Sequence, residues 1–198
     1  MNLDRQYVWD VFNAQVKEDH LRRHCLTVEI AMRAYAVKFG EDEAYWGAVG
    51  ALHDIDFEQF PEEHLQHTAD MLKPAGFDDA FIHHILTHDR AYPAEKRDLL
   101  DKALLACDEV PGFILACCLV RPSKSLKDMP VKSIMKKVKD KRFAAGCDRA
   151  WLTSPAEALG IDFKDHAAFI RDALSRAVGE DKEKFANIHL LLDEGVQP

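Results

Sequence analysis

Apolar residues recur at helical spacing along almost the whole chain, and no stretch alternates apolar with polar residues between Asn-Gly or Asp-Gly turns. That combination restricts the chain to helices. The spacing predicts helices near 4–17, 20–38, 42–56, 62–73, 79–89, 97–109, 112–120, 130–143, 154–159, 163–178 and 181–193. Gly40, Pro61, Pro74-Ala75-Gly76, Pro93, Pro122, Pro130, Pro155, Gly160 and Gly179 punctuate them. The expected architecture is all-α. A length of 198 residues suits a single domain able to bury a real core. Its expected parts are a helical core at about 20–120, a basic segment at 121–142 and C-terminal helices at 150–198.

Composition narrows the function classes. A net charge of −8 argues against a general nucleic-acid binder. No apolar run approaches the roughly 20 residues of a membrane span, and the opening MNLDRQYVWD has no basic and then apolar leader. The five cysteines are an odd set without CxxC spacing, so a disulfide scaffold is not expected and a cytoplasmic location is. Charge is unevenly spread: residues 121–142 carry a net +7, which leaves −15 for the remainder. Val131, Ile134, Met135 and Val138 form an apolar stripe there, while Lys132, Lys136 and Lys139 form a cationic row. A solvated helix face is the common reading of such a row; phosphate is its natural ligand.

Histidines and aspartates fall on inward stripes. His24 shares its stripe with Val28, Ala31 and Met32, and His53 shares its own with Trp46, Val49 and Gly50. Asp108 falls with Leu104 and Leu105, and Gly47 and Gly50 would admit a close neighbouring helix. A single inward histidine is more often a hydrogen-bonded core residue than a ligand. An isolated ionised carboxylate in a core is too costly to keep, whereas one on a divalent cation is not. Imidazole with carboxylate suits Mn, Fe, Zn, Co or Ni, as one ion or two. His166 and His189 lack partners of this kind and read as structural.

His24, the doublet His53-Asp54 and Asp108 together resemble the H…HD…D signature of the HD superfamily of metal-dependent phosphohydrolases, over roughly residues 20–120. The stretch "DEVPGFILACCLVRPSKSLKDMPVKSIMKKVKDKRFAAG" is similar to small stand-alone predicted HD hydrolases, a likeness that spans nearly the whole chain. The resemblance implies an HD-domain helical bundle with additional C-terminal helices, and His24, His53, Asp54 and Asp108 as ligands of a first metal. It further implies His67 and His88 as ligands of a second, with His84 in place of His88 as the fallback. The GYP signature of the cyclic-di-GMP phosphodiesterase branch is missing.

The expected chemistry is attack on phosphorus by a metal-activated water, on a small phosphorylated or nucleotide substrate. Asp54, with Asp56 or Glu58 to handle a proton, would serve catalysis, and Arg121, Lys124 and Lys132 would hold the phosphate oxygens. For Asp56 and Glu58 a helix-terminal turn facing water is an equal reading. The same ligand types describe an HD-fold di-iron oxygenase, acting on a small substrate such as a phosphonate. A third reading is a non-catalytic binding module that metal merely stabilises; no cysteine is spaced to close such a structural site. The last two helices, at 163–178 and 181–193, would cap the domain or form a homodimer contact.

Overall fold

The computed structural model describes residues 1–197. In chain order its α-helices are α1 (Arg5–Gln15), α2 (Asp19–Phe39), α3 (Glu43–Leu52), α4 (Thr68–Leu72), α5 (Asp79–Leu86), α6 (Leu99–Leu119), α7 (Val131–Lys139), α8 (Arg149–Ala158), α9 (Phe163–Val178) and α10 (His189–Leu192). Short 3-10 turns link several of them, and no strand forms among the described residues apart from one isolated bridge between Ser125 and Gln197. The fold is all-α. The chain packs as two compact units, Met1–Leu104 and the remainder from Leu105 on.

In the first unit α3 lies close on α2, and Gly50 is the reason. A Cβ at Gly50 would come within 2.9 Å of the Met32 side chain and 3.1 Å of the Val28 carbonyl oxygen. Contact that tight leaves no room for any other residue. Helix α2 ends at Gly40, whose φ of 75° and bond back to Ala36 and Val37 close the helix in the left-handed way that glycine favours. α1 is fastened to α2 through the buried carboxylate of Glu29. It accepts from Arg5 at 2.8 and 2.9 Å, from Trp9 Nε1 at 2.8 Å and from Arg33 Nε at 2.8 Å. Every lone pair of that carboxylate is thereby satisfied, which is what a buried charge needs.

Several expected boundaries move, and the helix expected at 181–193 is a 3-10 turn at Lys182–Lys184 and the short α10. The break expected at Pro111 does not occur, and α6 runs from 99 to 119 with Pro111 inside it. A proline removes one donor from the ladder, but a helix held by a long apolar face keeps its course past it. α8 begins at Arg149 rather than 154, because Asp148 caps it by accepting from the amides of Ala150 and Trp151, and Pro155 again lies inside. The span expected as one helix at 62–73 is a 3-10 turn at Pro61–Glu63 and the short α4, with non-helical chain between them.

In the second unit α9 is the central element, with α7 and α8 packed against it. His166 on α9 is buried and its Nε2 donates to the Ala106 carbonyl at 2.8 Å, as a structural histidine would. Arg149 donates to the carbonyls of Val138, Asp140 and Cys147 and so fixes the chain that leaves α7.

Candidate metal centre

Four imidazoles converge on Asp54, all within the first unit. His24 projects from α2, and His53 ends α3, placing Asp54 in the turn that follows. His64 comes from the loop after the Pro61–Glu63 turn, and His88 lies two residues past the end of α5. Arg97, itself buried, holds the His88 segment by donating to the carbonyls of Thr87 and Asp89 at 3.0 and 2.7 Å.

The carboxylate is shared evenly. Asp54 Oδ2 lies 3.4 Å from His24 Nε2 and 3.5 Å from His53 Nε2. Asp54 Oδ1 lies 3.4 Å from His64 Nε2 and 3.5 Å from His88 Nε2. Within each pair the nitrogens nearly touch, at 3.0 Å for His24 and His53 and 3.1 Å for His64 and His88.

The opposite ring edges show which nitrogens carry lone pairs. His53 Nδ1 donates to the Gly50 carbonyl at 2.9 Å, and His88 Nδ1 to the Ile85 carbonyl at 2.6 Å. His64 Nδ1 donates to Asp56 Oδ1 at 2.8 Å. A neutral imidazole that donates from Nδ1 presents a bare lone pair at Nε2. As neutral rings His64 and His88 would present lone pairs to one another at 3.1 Å, and a proton or a metal ion between them turns that arrangement attractive. Nitrogens bound to one transition ion at about 2.1 Å are about 3.0–3.4 Å apart, so both pairs fit one ion each with Asp54 between them. Burial would raise the Asp54 pKa, but the positive charge and hydrogen bonds that its histidines supply when protonated, His53 foremost, outweigh it and hold the carboxyl well below its ordinary range.

Asp56 is fully buried and has no access to a reacting water. One oxygen takes His64 Nδ1; the other accepts from Thr68 Oγ1 at 3.0 Å and from the His67 amide at 3.2 Å. Burial raises its pKa, and these bonds, with His64 foremost, bring it below the ordinary value. It is a positioning residue that fixes the His64 ring, which replaces the proton-handling role expected of it. Glu58 is likewise engaged elsewhere than in the expected proton transfer: its Oε2 accepts the amides of Lys17 and Glu18 at 2.8 and 2.9 Å, just ahead of α2.

The histidine that accompanies His88 is His64, not His67. His67 bonds Glu63 at 2.6 Å and stacks on Phe60 with ring centroids 3.8 Å apart. Between the two histidines Leu65 takes a φ of 73°, rare for a leucine, and that turn separates their surroundings. His84 is also elsewhere. Its Nδ1 bonds Asp101 Oδ1 at 2.7 Å, and Asp101 and Asp98 exchange amide bonds that cap the start of α6.

The remaining candidates belong to the second unit. Asp108 is partly buried on α6, and with burial as the larger cause its charge raises the pKa of Cys107. Of the three expected phosphate-binding residues, Arg121 lines a cavity, and Lys132 is exposed on α7 outside that lining. The Lys124 carbonyl accepts the Gln197 amide at 2.8 Å, beside the C-terminal segment. Lys136 and Lys137 replace the latter two in the lining. Among the described residues no helix is long and apolar enough to cross a membrane.

Residues 21–111 match the family model described as the HD domain. That stretch contains His24, His53, Asp54, His64, His88 and Asp108. Comparison with curated proteins and with solved structures gave no match.

Proposed function

The chain is an HD-domain protein through residues 21–111, and we propose that it is a phosphohydrolase for a small phosphorylated substrate, working with two divalent transition ions. Asp54 would bridge the pair. His24 and His53 would hold one ion with Asp54 Oδ2, and His64 and His88 the other with Oδ1. Asp108 is assigned to the first of these sets on the sequence pattern and its place inside the matched stretch. The observation that carries the reading is the convergence of the His64 and His88 Nε2 atoms on Asp54 Oδ1, with the rings fixed from behind by Asp56 and by the Ile85 carbonyl.

Ions of this class supply an activated water near neutral pH and polarise a phosphoryl oxygen. The chain's own contribution is orientation. The Gly50 and Ile85 carbonyls and the Asp56 carboxylate each take an Nδ1 proton, so three imidazoles turn Nε2 toward Asp54. Asp54 stays ionised throughout the neutral range and brings the negative charge that four neutral imidazoles lack. The basic stretch at 121–142 supports phosphate as the charged part of the substrate.

The test is a panel of phosphomonoesters, cyclic nucleotides and nucleoside triphosphates incubated with Mn-reconstituted protein, with phosphate or nucleotide release as readout. Hydrolysis of at least one class is expected, abolished in His88→Ala. Protein that binds its metal and releases nothing from any class would overturn the reading. Oxygen consumption by Fe-loaded protein in that event would identify the oxygenase instead.

A further inference from the structure

The second unit holds a cavity of about 660 Å³. Such a volume suits a small organic molecule and far exceeds that of a lone inorganic ion. Its cationic lining is Arg121, Lys136, Lys137 and Lys139, against a single carboxylate, Asp140. The lining groups therefore carry a net charge of +3. Ser133 adds a hydroxyl, and Cys117, Val120 and Pro122 form an apolar wall. Burial pushes the Cys117 thiol up to about 12, against the smaller opposite effects of Lys137 and Arg149, so it belongs to that wall as a neutral group.

The spacing explains how the cations come together. Ser133, Lys136, Lys137 and Asp140 recur at three- and four-residue intervals, which puts them on one side of α7 and its C-terminal cap, beside the end of α6. Ile134 is buried and anchors the other side. Lys136 and Lys139 are exposed at the rim, and Lys137, half-buried, is held over the Phe143 ring at 4.4 Å. Arg121 donates one Nη2 bond to the Asp128 carbonyl at 3.3 Å, while its Nε is buried with no hydrogen-bond partner. Four cations against one carboxylate, and a buried donor left unsatisfied, both cost stability that a bound anion would restore.

We propose that this cavity is a binding site for an organic diphosphate, with Arg121, Lys136, Lys137 and Lys139 around the phosphates and Val120 and Pro122 against the organic part. The net charge of the lining matches a diphosphate better than a monoester. Arginine supplies a planar fork and the lysines point charges, the usual division of labour at such groups. All of these residues lie beyond Leu105, so the proposal does not depend on the hydrolase reading.

Calorimetric titration of the full-length protein with inorganic pyrophosphate tests it. Saturable binding is expected in the unaltered chain and in Asp54→Asn. Lys136→Ala/Lys139→Ala should weaken it about tenfold or more. Lys132→Ala/Lys141→Ala removes the same charge from equally exposed positions outside the lining and should leave it within about twofold. Equal weakening by both pairs would reduce the effect to segment-wide attraction and overturn the site. Loss of binding in Asp54→Asn would do the same by assigning the pyrophosphate to the metal centre. Absence of saturable binding in the unaltered chain would overturn it outright. A failed hydrolase assay would leave each of these outcomes untouched.

Discussion

Two clusters in the first unit are built from the same side chains and differ in what they leave open. Around Asp54 four Nε2 atoms face a carboxylate and one another, with their Nδ1 protons, where fixed, turned outward onto Gly50, Ile85 and Asp56. At His84 the arrangement is reversed: Nδ1 itself bonds Asp101, and Asp101 and Asp98 are further engaged in capping α6. The second cluster could hold a cation by distance alone. Its donors are already partnered. A metal site is thus recognised by the direction of its lone pairs, and proximity of ligand atoms is a weaker sign.

The largest effect that separates the clusters is on metal content. Asp54→Asn should abolish metal retention and turnover together, measured by elemental analysis after dialysis, whereas His84→Gln should leave both as they were. Equal loss in the two variants would erase the distinction. Next is the stabilisation by Mn²⁺ itself. At about a hundredfold excess over the dissociation constant, a ligand specific for the folded state adds about 2.7 kcal/mol, a Tm rise of about 5–10 °C for a chain of this size. His84→Gln should keep that rise and His64→Ala/His88→Ala should shrink it. Asp56→Asn sharpens the comparison further, because it spares every proposed ligand and removes only the group behind His64. Metal affinity should fall about 10- to 100-fold, and the fall should be smaller when the ring is held anew by Asp56→Glu.

The smallest effect belongs to the closed cluster and is a matter of pH. Burial raises Asp101 while the bond from His84 and the Asp98 amide bring it below its usual 3.8, and the bond to Asp101 raises His84 above 6.5 against its own burial. A lowered carboxyl stabilises the fold above 3.8 and loses that contribution as pH falls through its folded value. A raised imidazole stabilises below 6.5 and loses it as pH rises through its folded value. The Tm deficit of His84→Gln should therefore be widest between 3.8 and 6.5 and narrow on either side. A deficit flat across pH would show that packing of the ring, not the ion pair, is what the cluster contributes.

Much of this was legible from residue spacing, because helix periodicity, the close approach at Gly50 and the inward position of His24 and His53 are local or nearly local properties. The choice between His64 and His67 was not. Three residues apart, they share a face in any helix, and only the left-handed turn at Leu65 sends them to different places. The uninterrupted α6 was hidden for the opposite reason, since a proline is a strong local signal that the buried face of this helix overrides. Asp56 and Glu58 look alike from the sequence; one is fully buried behind His64 and the other, half-buried, accepts the amides of Lys17 and Glu18, a difference made wholly by the path of the loop. In the basic segment the charge was evident, but which lysines border a cavity depends on where the chain turns after α6.

The most direct measurement is electron paramagnetic resonance on Mn-reconstituted protein, compared with His88→Ala. The account expects exchange-coupled ions in the unaltered chain and a single uncoupled ion in the variant, because His64 and His88 would together hold the second ion. An uncoupled spectrum that is the same in both proteins would contradict it.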